Sequence, residues 1–419
     1  MDKDINRMGR IVLYILTGLT CSFYYFSFGF TFLPAGINTK MLLAIIGIGL
    51  FIYDRLQKES LFIQQNFLIA TLFATTFSLI CYISTDLNHT TDYVYANYVM
   101  SYFTWLGAAY TVCRIIHSVH GEANIRLLVM YLAIVCFVQC LLALWIDNVP
   151  QFQILVNTYI EQGQEYLLEV GRIYGIGASL DNAGVRFSLV LVMIATVLCV
   201  EEDVRQSQWE IITLLVAFFT IAIVGNMISR TTILGTVGGI CFFLFGTGAL
   251  KMQLQIKYTK LYVILGGALL LSIGISNYLY QTDEVFRDHI RFAFEGFFNL
   301  VEEGKWRTDS TDKLNREMWI WPTDSRTWLI GTGLFDNWAF GTDIGYCRFI
   351  LYSGLAGFIV FALFFVYNSF IFGQLYKKYW GMFLIFLILT FIIWIKVSTD
   401  IFLIYALFYC LNKKNENAH

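Results

Sequence analysis

The chain has 419 residues, of which 58% are hydrophobic and 14% charged, with a formal net charge of −2. A soluble globular domain carries roughly 25% charged residues, so this composition excludes one and requires contact with lipid. The charge balance and the absence of a Lys/Arg run also exclude nucleic acid as a partner.

Windows long enough to cross about 30 Å of hydrocarbon place twelve spans in chain order: 11–34, 35–53, 61–83, 95–113, 127–146, 183–200, 209–228, 231–249, 261–279, 348–372, 380–395 and 397–412. The second, eleventh and twelfth have short apolar cores. The first stretch, Ile11 to Leu33, is too long for a signal-peptide core and has no small-residue cleavage site after it. The fold expected is an all-α polytopic membrane protein, one integral membrane domain over residues 1–419. The abundant Phe, Tyr and Trp are expected at the headgroup level.

Orientation follows from the cations. The segments that alternate with the N-terminus hold Lys3, Arg7 and Arg10, then Arg55 and Lys58, Arg114 and Arg126, Arg205, Lys251, Lys257 and Lys260, Lys377 and Lys378, and finally Lys413 and Lys414. The opposite short segments hold only Lys40, Arg172, Arg186, Arg230 and Lys396. The positive-inside rule therefore puts both termini in the cytoplasm. Two long segments, 147–182 and 280–347, then face outward. In the second, Phe286, Ile290, Phe294, Phe297 and Val301 recur at helical spacing against Asp288, Arg291, Glu295 and Glu302, which predicts one helix lying on the membrane surface.

Nine cysteines are scattered, Cys136 and Cys140 being one turn apart within a span, and no metal-ligand spacing links Cys and His. His117 and His120 read as a solvated loop pair. No metal and no cofactor is expected. The three prolines, Pro34, Pro150 and Pro322, lie at span ends or in loops, and neither repeated halves nor charged mid-span positions of a secondary transporter are present. A transporter or lipid flippase is thereby disfavoured.

Chemistry is expected where polar residues break the local rule. Arg230, in GNMISRTTILG, stands at the outer end of a span. It either snorkels to headgroups or clamps an anion with its planar fork. Arg172 and Arg186 flank RIYGIGASLDNAGVR, read either as a re-entrant loop or as a ligand contact. The third cluster, NREMWIWPTDSRTWLIGTGLFDNWAFGTDIGYCRF, brings Arg316, Asp336, Asp343 and Arg348 to the same outer face. Its Gly331 and Gly333 lack a following Lys–Ser/Thr, which excludes a P-loop. On spacing alone they make a glycine turn before an aromatic belt.

The layout resembles the O-antigen polymerase and O-antigen ligase superfamily of bacterial envelope glycan assembly. The resemblance rests on the span count, the large outer segment between the ninth and tenth spans, the SRTT of Ser229–Thr232, NREMWIW followed by GTGLF, and Thr342–Ile359 leading into the tenth span. It implies a GT-C-like multi-pass protein of the bacterial inner membrane. The implied activity is metal-independent glycosyl transfer from a glycan on undecaprenyl diphosphate at the periplasmic face. Arg230 and Arg316 would stabilise the departing diphosphate, Asp343 would be the general base with Asp336 in reserve, and Arg172, Arg186 and Arg348 would contact substrate. A chain-length regulator is an optional partner. Ligases typically carry a histidine where Asp343 stands, so the resemblance favours a repeat-unit polymerase, with a ligase second.

Overall fold

A computed structural model of the chain describes residues 2–34, 36–58, 64–169, 171–247, 258–336 and 339–411. Apolar residues fill long runs, and several polar ones inside those runs bond to their own helix. Thr17 donates to the Leu13 carbonyl (2.8 Å), Thr196 to Val192 (2.8 Å), Asn226 to Ala222 (2.8 Å) and Asn368 to Phe364 (2.7 Å). In hydrocarbon an unpaired polar group costs several kcal/mol, and this back-bonding satisfies the donors without a partner helix.

The elements are α1 (Asp2–Tyr25), β1 (Gly29–Phe30), α2 (Thr39–Lys58), α3 (Gln65–Leu87), α4 (Tyr98–His120), α5 (Ile125–Asn148), α6 (Pro150–Tyr159), β2 (Ile160–Glu161), α7 (Gln164–Glu169), α8 (Leu180–Val200), α9 (Glu202–Gln206), α10 (Gln208–Ile228), α11 (Thr232–Gly246), α12 (Thr259–Thr282), α13 (Glu284–Ala293), α14 (Glu295–Glu303), α15 (Asp309–Glu317), α16 (Ser325–Ile330), α17 (Gly345–Leu375), α18 (Trp380–Ile393) and α19 (Phe402–Cys410). The chain is an all-α membrane protein. Among the described residues six helices are long and apolar enough to cross a bilayer: α3, α5, α8, α10, α12 and α17. A helix stands at every expected span, although α11, α18 and α19 have only 15, 14 and 9 residues. Lys251 and Lys257, expected between the eighth and ninth spans, and Lys413 and Lys414 lie outside the described residues.

By contacts the chain divides into two compact units. The first comprises residues 1–46, 108–298 and 410–419, the second 47–107 and 299–409. In the first, α8 is the central helix, 89% of its apolar window being buried against α5, α10 and α11. The Gly235 N–H donates to Ser188 Oγ at 3.1 Å, and a Cβ at Gly235 would fall 2.1 Å from the Ser188 Cα, so α8 and α11 touch backbone to backbone. By contrast only 6% of the α12 window is buried. The first of the two long segments expected to face outward contains folded structure: β2 pairs antiparallel with β1, Gly29 opposite Glu161, over a small core of Phe28, Ile146, Val156, Ile160, Leu167 and Tyr174.

In the second unit α17 packs along α3 and α18, and α16 crosses it. Part of the aromatic complement fills cores. Phe77 stacks on Phe361 at 4.3 Å, Phe361 stacks on Trp394 at 5.5 Å, and Trp394 is fully buried.

The single surface helix expected over Phe286–Val301 is two helices. Phe294, at φ −115° and ψ 27°, ends α13, and α14 starts at the next residue. The Asp283 carboxylate caps α13 by accepting the Phe286 N–H at 3.0 Å. The break redirects Glu295, which the helical spacing assigned to the solvent face, and that matters below.

Candidate functional site: two arginines on one ring

Arg230 occupies the short break between α10 and α11. The break is built by its neighbours' hydroxyls. Ser229 Oγ (3.0 Å) and Thr231 Oγ1 (2.6 Å) both donate to one oxygen of Asp181 in the first turn of α8, while Thr232 Oγ1 donates to the Gly225 carbonyl (3.0 Å). Ser188 Oγ holds the Thr231 carbonyl at 3.0 Å. Every hydroxyl of the SRTT stretch is thus spent on holding the turn, and the arginine is the side chain left to project.

It projects onto α13. The Arg230 guanidinium carbon lies 4.3 Å from the centre of the Phe292 ring, and that of Arg172 lies 3.9 Å from the same centre. Arg230 Nη1 also forms an ion pair with Glu295, both side chains being mostly shielded from solvent. The Arg172 guanidinium donates no hydrogen bond to another described residue. Its pKa is lowered, first by burial and then by the charge of Arg230, with Asp181 and Glu295 acting the other way. An arginine stays charged regardless, so the shift measures how unfavourably the second cation is held. Each ring contact contributes on the order of 0.5–2 kcal/mol.

Arg172 reaches this point because the segment behind it is pinned. The Ile176 N–H donates to Gln139 Oε1 (2.9 Å), the Gly177 N–H to Gln162 Oε1 (2.6 Å), and Ile173, Tyr174 and Ala178 are buried. Arg186, in the second turn of α8, stands over a different ring, Phe26, at 5.8 Å.

The remaining expected residues belong to the second unit. Asp343 is half-buried between Thr342, whose hydroxyl donates to the Met318 carbonyl (2.5 Å), and Ile344, which holds the N-cap position of α17. Arg348 lies over Phe335 at 4.0 Å and donates to the Phe335 carbonyl (2.5 Å) and Ser398 Oγ (2.8 Å). Asp343, Asp336 and Asp92 all lie within electrostatic range of it. Asp336 is exposed, and its N–H and that of Phe335 converge on one Asp92 oxygen at 2.6 and 2.5 Å. Arg316 is exposed on α15, one turn from Asp312 and two from Asp309, and shares no contact with Asp343 or Arg348 among the described residues.

The glycine turn is fully engaged. The N–H groups of Thr332 and Gly333 donate to the Leu351 (2.7 Å) and Tyr352 (3.0 Å) carbonyls, and that of Gly331 to Thr327 (2.9 Å). Nothing in it is left for a phosphate. Gly331 (φ +77°) and Gly354 (φ +67°, inside α17) face each other: a Cβ on the first would sit 2.2 Å from the Tyr352 oxygen, and on the second 2.2 Å from the Leu329 oxygen. The turn docks on a helix break.

Phe292, Glu295, Asp181 and Asp92 were missed in the sequence. The first two sit in a stretch whose amphipathic spacing pointed to lipid and water rather than to Arg230, and the aspartates looked like ordinary loop and first-turn residues. Comparison of the chain with models of known families, with curated proteins and with solved structures finds no match.

Proposed function

We propose that the chain is a metal-independent membrane glycosyltransferase that joins oligosaccharide repeat units carried on undecaprenyl diphosphate, at the outer face of the bacterial inner membrane. The proposal includes twelve crossings, cytoplasmic termini and a GT-C-like arrangement. The observation that carries it is the Arg172–Arg230 pair on Phe292, matched directly by one carboxylate, Glu295. Two half-buried guanidiniums with donors to spare suit a group with several anionic oxygens.

In the proposed reaction an acceptor hydroxyl attacks the anomeric carbon of the donor glycan. The bond from that carbon to the diphosphate oxygen breaks, and the diphosphate leaves with both bonding electrons. Guanidiniums already in place stabilise the charge as it develops, since little reorganisation is needed at the moment of reaction. The hydroxyl proton passes to a carboxylate, for which Asp343 is proposed separately from the arginine pair.

Lipid-linked glycan profiles of a deletion strain test the proposal. Single repeats on the carrier are the expected result. Long polymer stranded on the carrier would make the protein a ligase, and an unchanged profile would reject glycosyl transfer. Orientation has its own check: a cysteine at Ser310 should be labelled by an impermeant reagent in intact spheroplasts.

A further inference from the structure

Within the first unit, α1 and α5 pack against each other and leave a groove along their seam. Between them runs an open cleft with a volume of about 880 Å³, which falls within the range of roughly 300–1,000 Å³ typical of small-molecule sites. Its walls are almost wholly apolar: Ile15 and Leu19 on α1, Met130, Ile134 and Val138 on α5. Ile15, Leu19, Ile134 and Val138 remain exposed at 64%, 47%, 42% and 43%. At its middle Gly18 leaves a space in which an added Cβ would meet nothing within 4 Å.

The two ends differ. One is closed by apolar residues, Phe28, Phe30 and Ile176. The other is lined by Glu122, Arg126, Glu210 and His120. There Arg126 is already held by Glu210, with Nε to Oε2 at 3.1 Å, and by Asp203 at 3.4 Å. His120 bonds the Tyr131 hydroxyl at 2.7 Å and stacks on Tyr14 at 5.1 Å. Its pKa is lowered by burial, which favours the neutral ring. Both Glu210 oxygens are taken by Arg126, so Glu122 is the lining carboxylate that can meet a cation such as an ammonium group.

Length selects further. Leu127 and Leu142, which bound the α5 wall, are separated by about 22 Å at 1.5 Å per residue. One leaflet offers about 15 Å, half of the ~30 Å hydrocarbon core. A chain that fills the cleft must lie extended past the midplane, which a lipid in the bulk bilayer does not do.

We infer that the α1–α5 cleft is a binding site for one long hydrocarbon chain of a zwitterionic amine-bearing phospholipid, its ammonium group at the Glu122–Glu210 end. The site is separate from the arginine pair and does not depend on the glycosyltransferase reading.

The test is occupancy of the delipidated full-length protein by native mass spectrometry, with dioleoyl phosphatidylethanolamine, dioleoyl phosphatidylglycerol and dilauroyl phosphatidylethanolamine as probes. Dioleoyl phosphatidylethanolamine should bind one per chain, and the dilauroyl lipid at least about tenfold more weakly, because several buried methylenes are lost. Gly18→Leu fills the open space and should lower occupancy by roughly tenfold or more. It should still fold, since leucine is the better helix former. Ile134→Trp provides a second block from the opposite wall, and Gly49→Leu on α2, away from the cleft, should bind as the parent does. Glu122→Lys should shift preference toward phosphatidylglycerol. Equal occupancy in parent, Gly18→Leu and Ile134→Trp would overturn the site. A parent preference for the anionic lipid would overturn the headgroup assignment.

Discussion

Two turns in this protein put arginine beside a phenylalanine ring, and they use their hydrogen-bond donors in opposite ways. After α10, Arg230 shares Phe292 with Arg172, and between them the two guanidiniums make one ion pair, to Glu295. In the first turn of α17, Arg348 stands over Phe335 with its fork on the Phe335 carbonyl and Ser398, and in the turn before it Gly331, Thr332 and Gly333 each donate to a carbonyl. The first turn is held by hydroxyls and leaves its cation to act. The second consumes its cation and its amides in holding itself. An arginine near an aromatic ring is therefore no sign of a ligand site until its donors have been counted.

The largest effect is expected where the second region carries chemistry rather than architecture. Asp343 is not the N-cap of α17, since Ile344 is, so an amide there should not cost a cap. Asp343→Asn should leave the amount of protein unchanged and lower glycosyl transfer by about 100- to 10,000-fold, the usual contribution of a positioned base. Turnover by purified protein on lipid-linked repeat units measures it. Near-normal turnover would return Asp343 to the architectural group.

Next comes the fork of Arg230. Arg230→Lys keeps the charge and loses the planar donors, and it should lower turnover by roughly 100- to 1,000-fold, as loss of a preorganised charge-stabilising donor does. Full activity in the lysine variant would mean that the pair only packs on Phe292.

The glycine turn should respond in folding, not in chemistry. Gly331→Ala forces a Cβ to within 2.2 Å of the Tyr352 oxygen at a φ of +77°, and overpacking of that kind costs about 1–3 kcal/mol or more. Thermal melting of detergent-purified protein should show the loss. A variant that melts normally but is inactive would make the turn a substrate contact and erase the contrast between the two regions.

The smallest expected change is at Thr332, whose hydroxyl donates to the Leu351 carbonyl at 2.9 Å. Thr332→Val should cost about 1 kcal/mol, one ordinary hydrogen bond, and leave turnover per folded molecule untouched. The same melting and turnover assays decide it.

Helix positions were legible because an apolar run long enough to span is an unambiguous signal, and the windows at 127–146 and 183–200 fall inside α5 and α8. The arginines were legible as residues out of place. What their side chains meet was not, because periodicity reports which face is apolar and is blind to a break such as that at Phe294, which turned Glu295 toward Arg230. The β1–β2 ribbon escaped as well. Two residues per strand carry no alternation to read.

The Gly331–Gly354 contact also bears on how the chain enters the membrane. A break within α17 strips the Leu351 and Tyr352 carbonyls of helical partners, and the donors that replace them come from Thr332, Gly333 and, at 2.7 Å, Ser84. All three donors precede the acceptors in the sequence. During synthesis they have already left the ribosome when the broken helix emerges, so its exposed carbonyls can be met on arrival. Ser84→Ala removes the donor that emerges first, and slower or less complete insertion of α17 is the expected result.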